Sequence, residues 1–138
     1  MQNDWAYLEK YAIENQQLLK LPNNGNRIVF IGDSITEFWQ QYDSAFFTQN
    51  KYINRGISSQ TTSQIQERFQ NDVIDLEPKC VIILAGINDI AENNGPISIE
   101  EIMNNIVSMV EKSLKNNIEV LLCSVLPANN FYWNPKIQ

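Results

Sequence analysis

Three apolar runs that never alternate with polar residues constrain this chain more than any other feature: RIVFI at 27–31, VIILA at 81–85 and VLLCSVL at 120–126. A strand with one face in water alternates, whereas a strand apolar on both faces needs cover on both sides, as in a parallel sheet between helical layers. YINRGI at 52–57 is a weaker fourth strand. Helical periodicity fills the gaps. NDWAYLEKYAIENQQLL starts at a capping Asn3 or Asp4 and sets Trp5, Leu8, Ala12 and Leu19 along one side, which predicts an amphipathic first helix. TTSQIQERFQNDVIDLEP places Ile65, Phe69, Val73 and Leu76 at helical spacing before Pro78. SIEEIMNNIVSMVEKSLKNN opens with a Ser98/Glu101 capping pair and carries Ile102, Ile106, Val110 and Leu114 as its buried stripe. Strand and helix in alternation predict right-handed crossovers and a doubly wound α/β sheet of four parallel strands.

Composition narrows the function classes. Hydrophobic residues make up 43% and charged residues 19% of the 138, which fits one folded domain over residues 1–138. The net charge is −6, with ten Lys plus Arg and no basic run, so neither nucleic acid nor an anionic membrane surface is an expected partner. The sequence has no long apolar span, and MQNDWAYLEKY lacks the basic start and apolar stretch of a signal peptide. It assigns no compartment. Cys80 and Cys123 both lie in strand-like apolar runs and are expected to be buried free thiols rather than a disulfide. No metal-ligating cluster and no cofactor are implied.

Ligand sites in open α/β sheets lie at the carboxyl ends of the strands, near the point where strand order reverses. GDSIT follows the first strand, NRGISSQTT contains the end of the second, and GINDI follows the third. Ser34 stands at a strand-to-helix turn, where its hydroxyl is exposed and the helix dipole favours negative charge. Attack on an ester carbonyl requires donors aimed at the developing oxyanion. The Ser34 N–H, a Gly56 backbone N–H and the Asn88 carboxamide form a three-donor set. Asp33 is expected to hold the loop and Asp89 to support Asn88. Taken singly, Ser34 reads equally as a helix N-cap, Gly56 as a turn glycine and Asn88–Asp89 as a loop pair. The combination at three strand ends carries the functional reading. Trp39, Tyr42 and Phe46 follow closely enough to wall a pocket, although such spacing also suits the core.

GDSIT, the glycine of NRGISSQTT and GINDI together resemble the sequence blocks of the SGNH, or GDSL-type, ester hydrolases, and the likeness extends to their bacterial lipase/acylhydrolase branch, with SVLPANNFYWNP as the loop after the fourth strand. The resemblance implies a flavodoxin-like three-layer α/β/α sandwich, with the four parallel strands in the order 2-1-3-4. It makes Ser34 the nucleophile, and Ser34, Gly56 and Asn88 the oxyanion donors. The implied substrate is a small acyl ester, with acetylated carbohydrates and lipids both within the family's range.

One departure bears on mechanism. The family's last block supplies an Asp and a His, three residues apart, and this sequence contains no histidine. The resemblance implies that the chain is incomplete at its C-terminus, without the family's fifth strand. It is then expected to be inactive alone, and to self-associate through the exposed edge of its fourth strand. A catalytically dead or split binding module is the alternative, and a flavodoxin-like nucleotide- or phosphate-binding domain a further one, although no glycine-rich phosphate loop is present.

Overall fold

The computed structural model describes residues 4–137. Its single sheet has four parallel strands, β1 (Ile28–Gly32), β2 (Ile53–Gly56), β3 (Cys80–Leu84) and β4 (Glu119–Leu122), in the order β2-β1-β3-β4. β1 is central at the reversal, pairing Gly32 with Gly56 on one side and with Leu84 on the other.

Helices cover both faces. One face of the sheet presents Val29, Ile31, Val81 and Ile83 to α4 (Thr62–Asp72) and α6 (Ile99–Lys115), which contribute Ile65 and Phe69, and Ile102, Ile106 and Met109. All four residues of the predicted stripe in the first of these segments, Ile65, Phe69, Val73 and Leu76, are buried. The helix itself ends at Asp72, and a single 3₁₀ turn at Ile74–Leu76 carries the last of them. On the opposite face Phe30 lies under α2 (Ser34–Tyr42) and α3 (Ser44–Asn50). There Trp39 stacks on Phe46 at 4.8 Å and meets Phe30 edge-on at 5.5 Å. Trp39 and Phe46 therefore belong to this aromatic layer, while Tyr42 is 90% exposed and belongs to neither core nor pocket.

Four sequence expectations need correction, the burial of β4 last among them. The first helix, α1, runs over Ala12–Leu19. Ahead of it the Asp4 carboxylate accepts from the N–H groups of Leu8 and Glu9, and Tyr7 takes a left-handed φ of 55°, so the backbone is spent on turns. Trp5 and Leu19 face solvent, and Ala6, Tyr11 and Asn15 are buried instead. Asn3, the other proposed cap, lies outside the described residues. Leu114 leaves the predicted α6 stripe, because that helix is covered on one side only and Leu114 falls beyond the edge of its cover, 59% exposed. Cys123 is exposed as well: β4 ends at Leu122, and only Cys80 sits inside the sheet.

β4 departs from the two-sided burial expected of it. Leu121 and Leu122, which point to opposite faces, are 60% and 53% exposed. Among the described residues no strand pairs with its outer edge.

Candidate active site

β1 ends at Gly32, and the chain turns directly into α2 through Asp33. Asp33 is the N-cap: its Oδ1 accepts from the Ile35 N–H at 3.0 Å, which makes Ser34 the first helical residue rather than the cap. The Ser34 hydroxyl is thus left uncommitted by the capping, and its backbone N–H is one of the unpaired donors of a helix start. Asp33 is fully buried and its second oxygen, Oδ2, has no partner. Burial pushes its carboxyl above the usual carboxylate range against the pull of the Ile35 N–H, and the charge of Asp89 adds to the rise.

A carboxyl raised in the folded state binds its proton more tightly there than in the unfolded chain. Its contribution to stability is complete below the unfolded value and is lost as pH rises through the folded one. Asp33→Asn keeps the capping oxygen and removes the charge. It is expected to flatten the pH dependence of stability from the ordinary carboxylate range upward without lowering the midpoint at neutral pH. Urea denaturation across that range checks it, and a steep loss of stability at pH 7 would count against a merely loop-holding Asp33.

The second strand end does not behave as the sequence suggests. The Gly56 N–H is taken by Asn54 Oδ1 at 2.8 Å, and its carbonyl accepts from the Tyr11 hydroxyl. A Cβ at Gly56 would collide with the backbone of Thr36 and Glu37. This glycine is therefore where α2 packs against the sheet, and its N–H is not available to a ligand. Three residues on, Ser59 adopts φ 66° and lines a crevice of about 650 Å³ together with Ser34 and Asn88. Its N–H has no partner among the described residues. The loop is held from behind by Glu37, whose Oε2 accepts from the Ser58 N–H at 2.6 Å and from the Ser58 hydroxyl. Lys10 pairs with the other oxygen of Glu37.

At the third strand end, Gly86 takes φ 124° and starts a short helix, α5 (Ile87–Ile90), that carries Asn88 and Asp89. Asn88 is 5% exposed and spends one amide hydrogen on the Gln60 carbonyl at 3.0 Å. A carboxamide has two, so the Gln60 contact that sets its orientation leaves the second without a partner among the described residues. Asp89 turns away, its two oxygens accepting from the Thr62 N–H at 2.9 Å and the Thr62 hydroxyl at 2.6 Å. It locks α5 to the start of α4, where a negative charge also suits the helix dipole.

Behind these groups lies a buried polar chain. Arg68 is fully buried: its Nε donates to Gln60 Oε1 at 2.6 Å, Nη1 to Asp72 Oδ2 at 2.9 Å and Nη2 to the Gly32 carbonyl at 3.1 Å. One guanidinium thereby ties the turn before Ser34 to the residue whose carbonyl orients Asn88. The sequence gives no sign of this, since Arg68 reads there as an ordinary charged position of α4.

The crevice wall was equally hidden. Tyr7, Phe38, Tyr132 and Trp133 border it, whereas Trp39, Tyr42 and Phe46 do not. Among the described residues no group of acidic, histidine or cysteine side chains could hold a metal ion, and no helix is long and apolar enough to cross a membrane.

The fold is a parallel α/β/α sandwich in which a serine at the first strand-to-helix turn and an asparagine beyond the third strand line one crevice. The sequence profile of the GDSL-like lipase/acylhydrolase family matches residues 30–137, and the chain belongs to that family. Its fold is similar to that of an acylhydrolase from Bacteroides fragilis, at 48% identity and a TM-score of 0.94 over 99% of this chain and 65% of that one. It is also similar to a GDSL-like lipase from Bacteroides thetaiotaomicron, at 45% identity and a TM-score of 0.91 over 96% of this chain and 64% of that one. Among curated proteins, the platelet-activating factor acetylhydrolase IB subunit alpha2 of Rattus norvegicus is 24% identical over 118 residues, 82% of this chain and 49% of that protein. The chain thus spans about two-thirds of the solved relatives and about half of this curated one.

Proposed function

We propose that the crevice cleaves acyl or acetyl esters, with Ser34 as the nucleophile. The observation that carries the reading is the meeting of Ser34 with an Asn88 whose carboxamide is fixed by Gln60 yet keeps one hydrogen free. Attack of Ser34 Oγ on the ester carbonyl carbon places negative charge on the carbonyl oxygen. The Ser34 N–H and Asn88 Nδ2–H stabilise that charge, and the Ser59 N–H takes the place expected of Gly56. A base must accept the Ser34 proton and return it to the departing alcohol, after which water cleaves the acyl-serine. The 138 residues contain no histidine. The family resemblance assigns that step to an Asp and His segment, so the 138-residue chain by itself is proposed to be almost inactive. Such a segment, joined to this chain, supplies the base.

The test separates transition-state binding from substrate binding. In a chain joined to that segment, Asn88→Ala is expected to lower kcat on an aryl acetate by about a hundredfold with KM changed little, because the oxyanion exists only on the way to the acyl-enzyme. An equal rise in KM with kcat preserved would place Asn88 in ground-state binding and refute its role as an oxyanion donor.

The exposed β4 edge supports a second element of the proposal, pairing of two copies of this chain along Glu119–Leu122. A sedimentation coefficient that rises with concentration in the 138-residue chain is the expected result, and a monomer at every concentration would dismiss it.

A further inference from the structure

We propose that Glu37, held by Lys10 of the N-terminal segment 4–11, is a positioning residue for the Ser59 N–H, an inference that rests on the esterase reading and goes past it to what fixes that donor. Ser59 stands at φ 66°, a left-handed backbone that a residue with a Cβ seldom takes and that persists only where its neighbours hold it. Its N–H has no partner among the described residues, and its carbonyl has only a long contact, 3.4 Å, from Asn93 Nδ2. The hold therefore comes from the residues on either side.

Before Ser59 that hold is Glu37. Its Oε2 accepts from the Ser58 N–H at 2.6 Å and from the Ser58 hydroxyl at 2.5 Å, which fixes the preceding residue by backbone and side chain at once. Burial works to raise the Glu37 carboxyl, and the hydrogen bonds from Lys10 and Ser58 outweigh it, so the group lies below the ordinary carboxylate range and is a charged acceptor at neutral pH. Glu37 belongs to α2, three residues beyond Ser34. Residues three apart are neighbours on a helix surface, so the helix that carries the nucleophile also carries the anchor of the loop. A shift of α2 moves both together.

The segment behind Glu37 reaches the loop on both sides of Ser59. Asp4 closes residues 4–9 into turns, Lys10 pairs with Glu37, and the Tyr11 hydroxyl donates to the Gly56 carbonyl at 2.5 Å. Beyond Ser59, the Ala6 carbonyl accepts from Gln60 Nε2 at 2.8 Å. Gln60 is buried, and its own carbonyl is the one that takes the Asn88 amide. One strap thus supports two of the proposed oxyanion donors. These contacts lie at the β2 edge of the sheet, opposite β4. Residues 4–11 also precede the stretch 30–137 that the family profile matches, so the site draws on residues outside it.

Backbone order parameters of the 138-residue chain read the proposal without turnover. Ser58, Ser59 and Gln60 are expected near the rigid value of about 0.85, and Glu37→Ala is expected to drop these three below about 0.6 while the amides of β1 and β3 keep theirs. Glu37→Gln keeps an oxygen for Ser58 and is expected to restore the rigid value. Lys10 is exposed, so Lys10→Met leaves the core untouched, and it is expected to loosen the same three amides to a lesser degree. Should Glu37→Ala fail to fold, Lys10→Met decides. In a chain joined to the Asp and His segment, Glu37→Ala is expected to lower kcat on an aryl acetate about tenfold with KM little changed, and Glu37→Gln to recover most of it. Loop order unmoved by these variants, a loosening spread evenly over the sheet, or a kcat indifferent to Glu37→Ala in a joined chain that Ser34→Ala inactivates would overturn the proposal and leave the esterase standing. Turnover that survives Ser34→Ala, with the loop loosened as expected, sinks the nucleophile instead and leaves the anchoring of Ser59 in place.

Discussion

Ser34→Ala is expected to lower ester turnover by about a millionfold in a chain that carries the family's Asp and His segment, a loss of about 8 kcal/mol of transition-state stabilisation at about 1.4 kcal/mol per decade. Nucleophile and base act as a unit, so removing either forfeits nearly the whole advantage. The same reasoning applies to the 138-residue chain, which has Ser34 but no histidine. A serine hydroxyl without a base is almost entirely protonated at pH 7. On the proposed reading only the oxyanion donors act in the 138-residue chain, and the expected residual rate is about a thousandfold over water. Stopped-flow release of an aryl alcohol from its acetate measures both. Rapid turnover by the 138 residues, undiminished in Ser34→Ala, would show that another group is the nucleophile.

The second large effect is on stability. Arg68→Met is expected to cost about 3–5 kcal/mol, read as a lower denaturation midpoint in urea. The cost comes from what is left behind: among the described residues Asp72, buried beside the vacated site, keeps only the Asn15 amide as a hydrogen-bond donor, and Gln60 Oε1 loses its donor. Methionine fills most of the volume, so the loss is electrostatic rather than a cavity. Adding Asp72→Leu to Arg68→Met is therefore expected to recover part of the stability, since both halves of the pair are then apolar. A double variant no more stable than Arg68→Met alone would locate the cost in the Gly32 and Gln60 contacts.

How much of this could be read from residues alone differs from element to element. β1 and β3 are legible because a sheet covered on both sides leaves no polar positions in its central strands, and Val29, Ile31, Val81 and Ile83 are all fully buried. The Ile65/Phe69 side of α4 follows from its helical spacing, whereas the strand order comes with the flavodoxin-like fold that the resemblance implies. Local hydrogen bonding defeats the pattern at the N-terminus, where the Asp4 carboxylate claims two N–H groups that a helix would have used. Leu114 and Cys123 show the reverse limit, for periodicity says which side chains share a face and nothing about how far the cover extends.

The candidate site divides in the same way. Ser34 and Asn88 are visible as short motifs at strand ends. Gly56 misleads, because a glycine can be demanded by a helix passing above it as readily as by a ligand. The contact of its missing side chain with α2 exists only in three dimensions. Ser59 escapes notice because its left-handed backbone is set by the loop and not by its side chain. Tyr132 and Trp133 reach Ser34 from the far end of the chain through a segment without regular structure, which no periodicity could announce.

The position of β1 has a bearing on the order of events in folding. Val29 pairs with Ile53 and Ile28 with Cys80, so each neighbour of β1 is joined to it through intervening helices, and the loop-closure entropy of both crossovers is met before the sheet exists. Ser34, Ser59 and Asn88 come from three different connections across this sheet. No partly formed chain holds them together. The crevice exists only where β2, β1 and β3 are joined, and a ligand seated there favours that joined sheet over any chain that lacks it, by an amount that grows with the logarithm of the free ligand concentration once the site is nearly full.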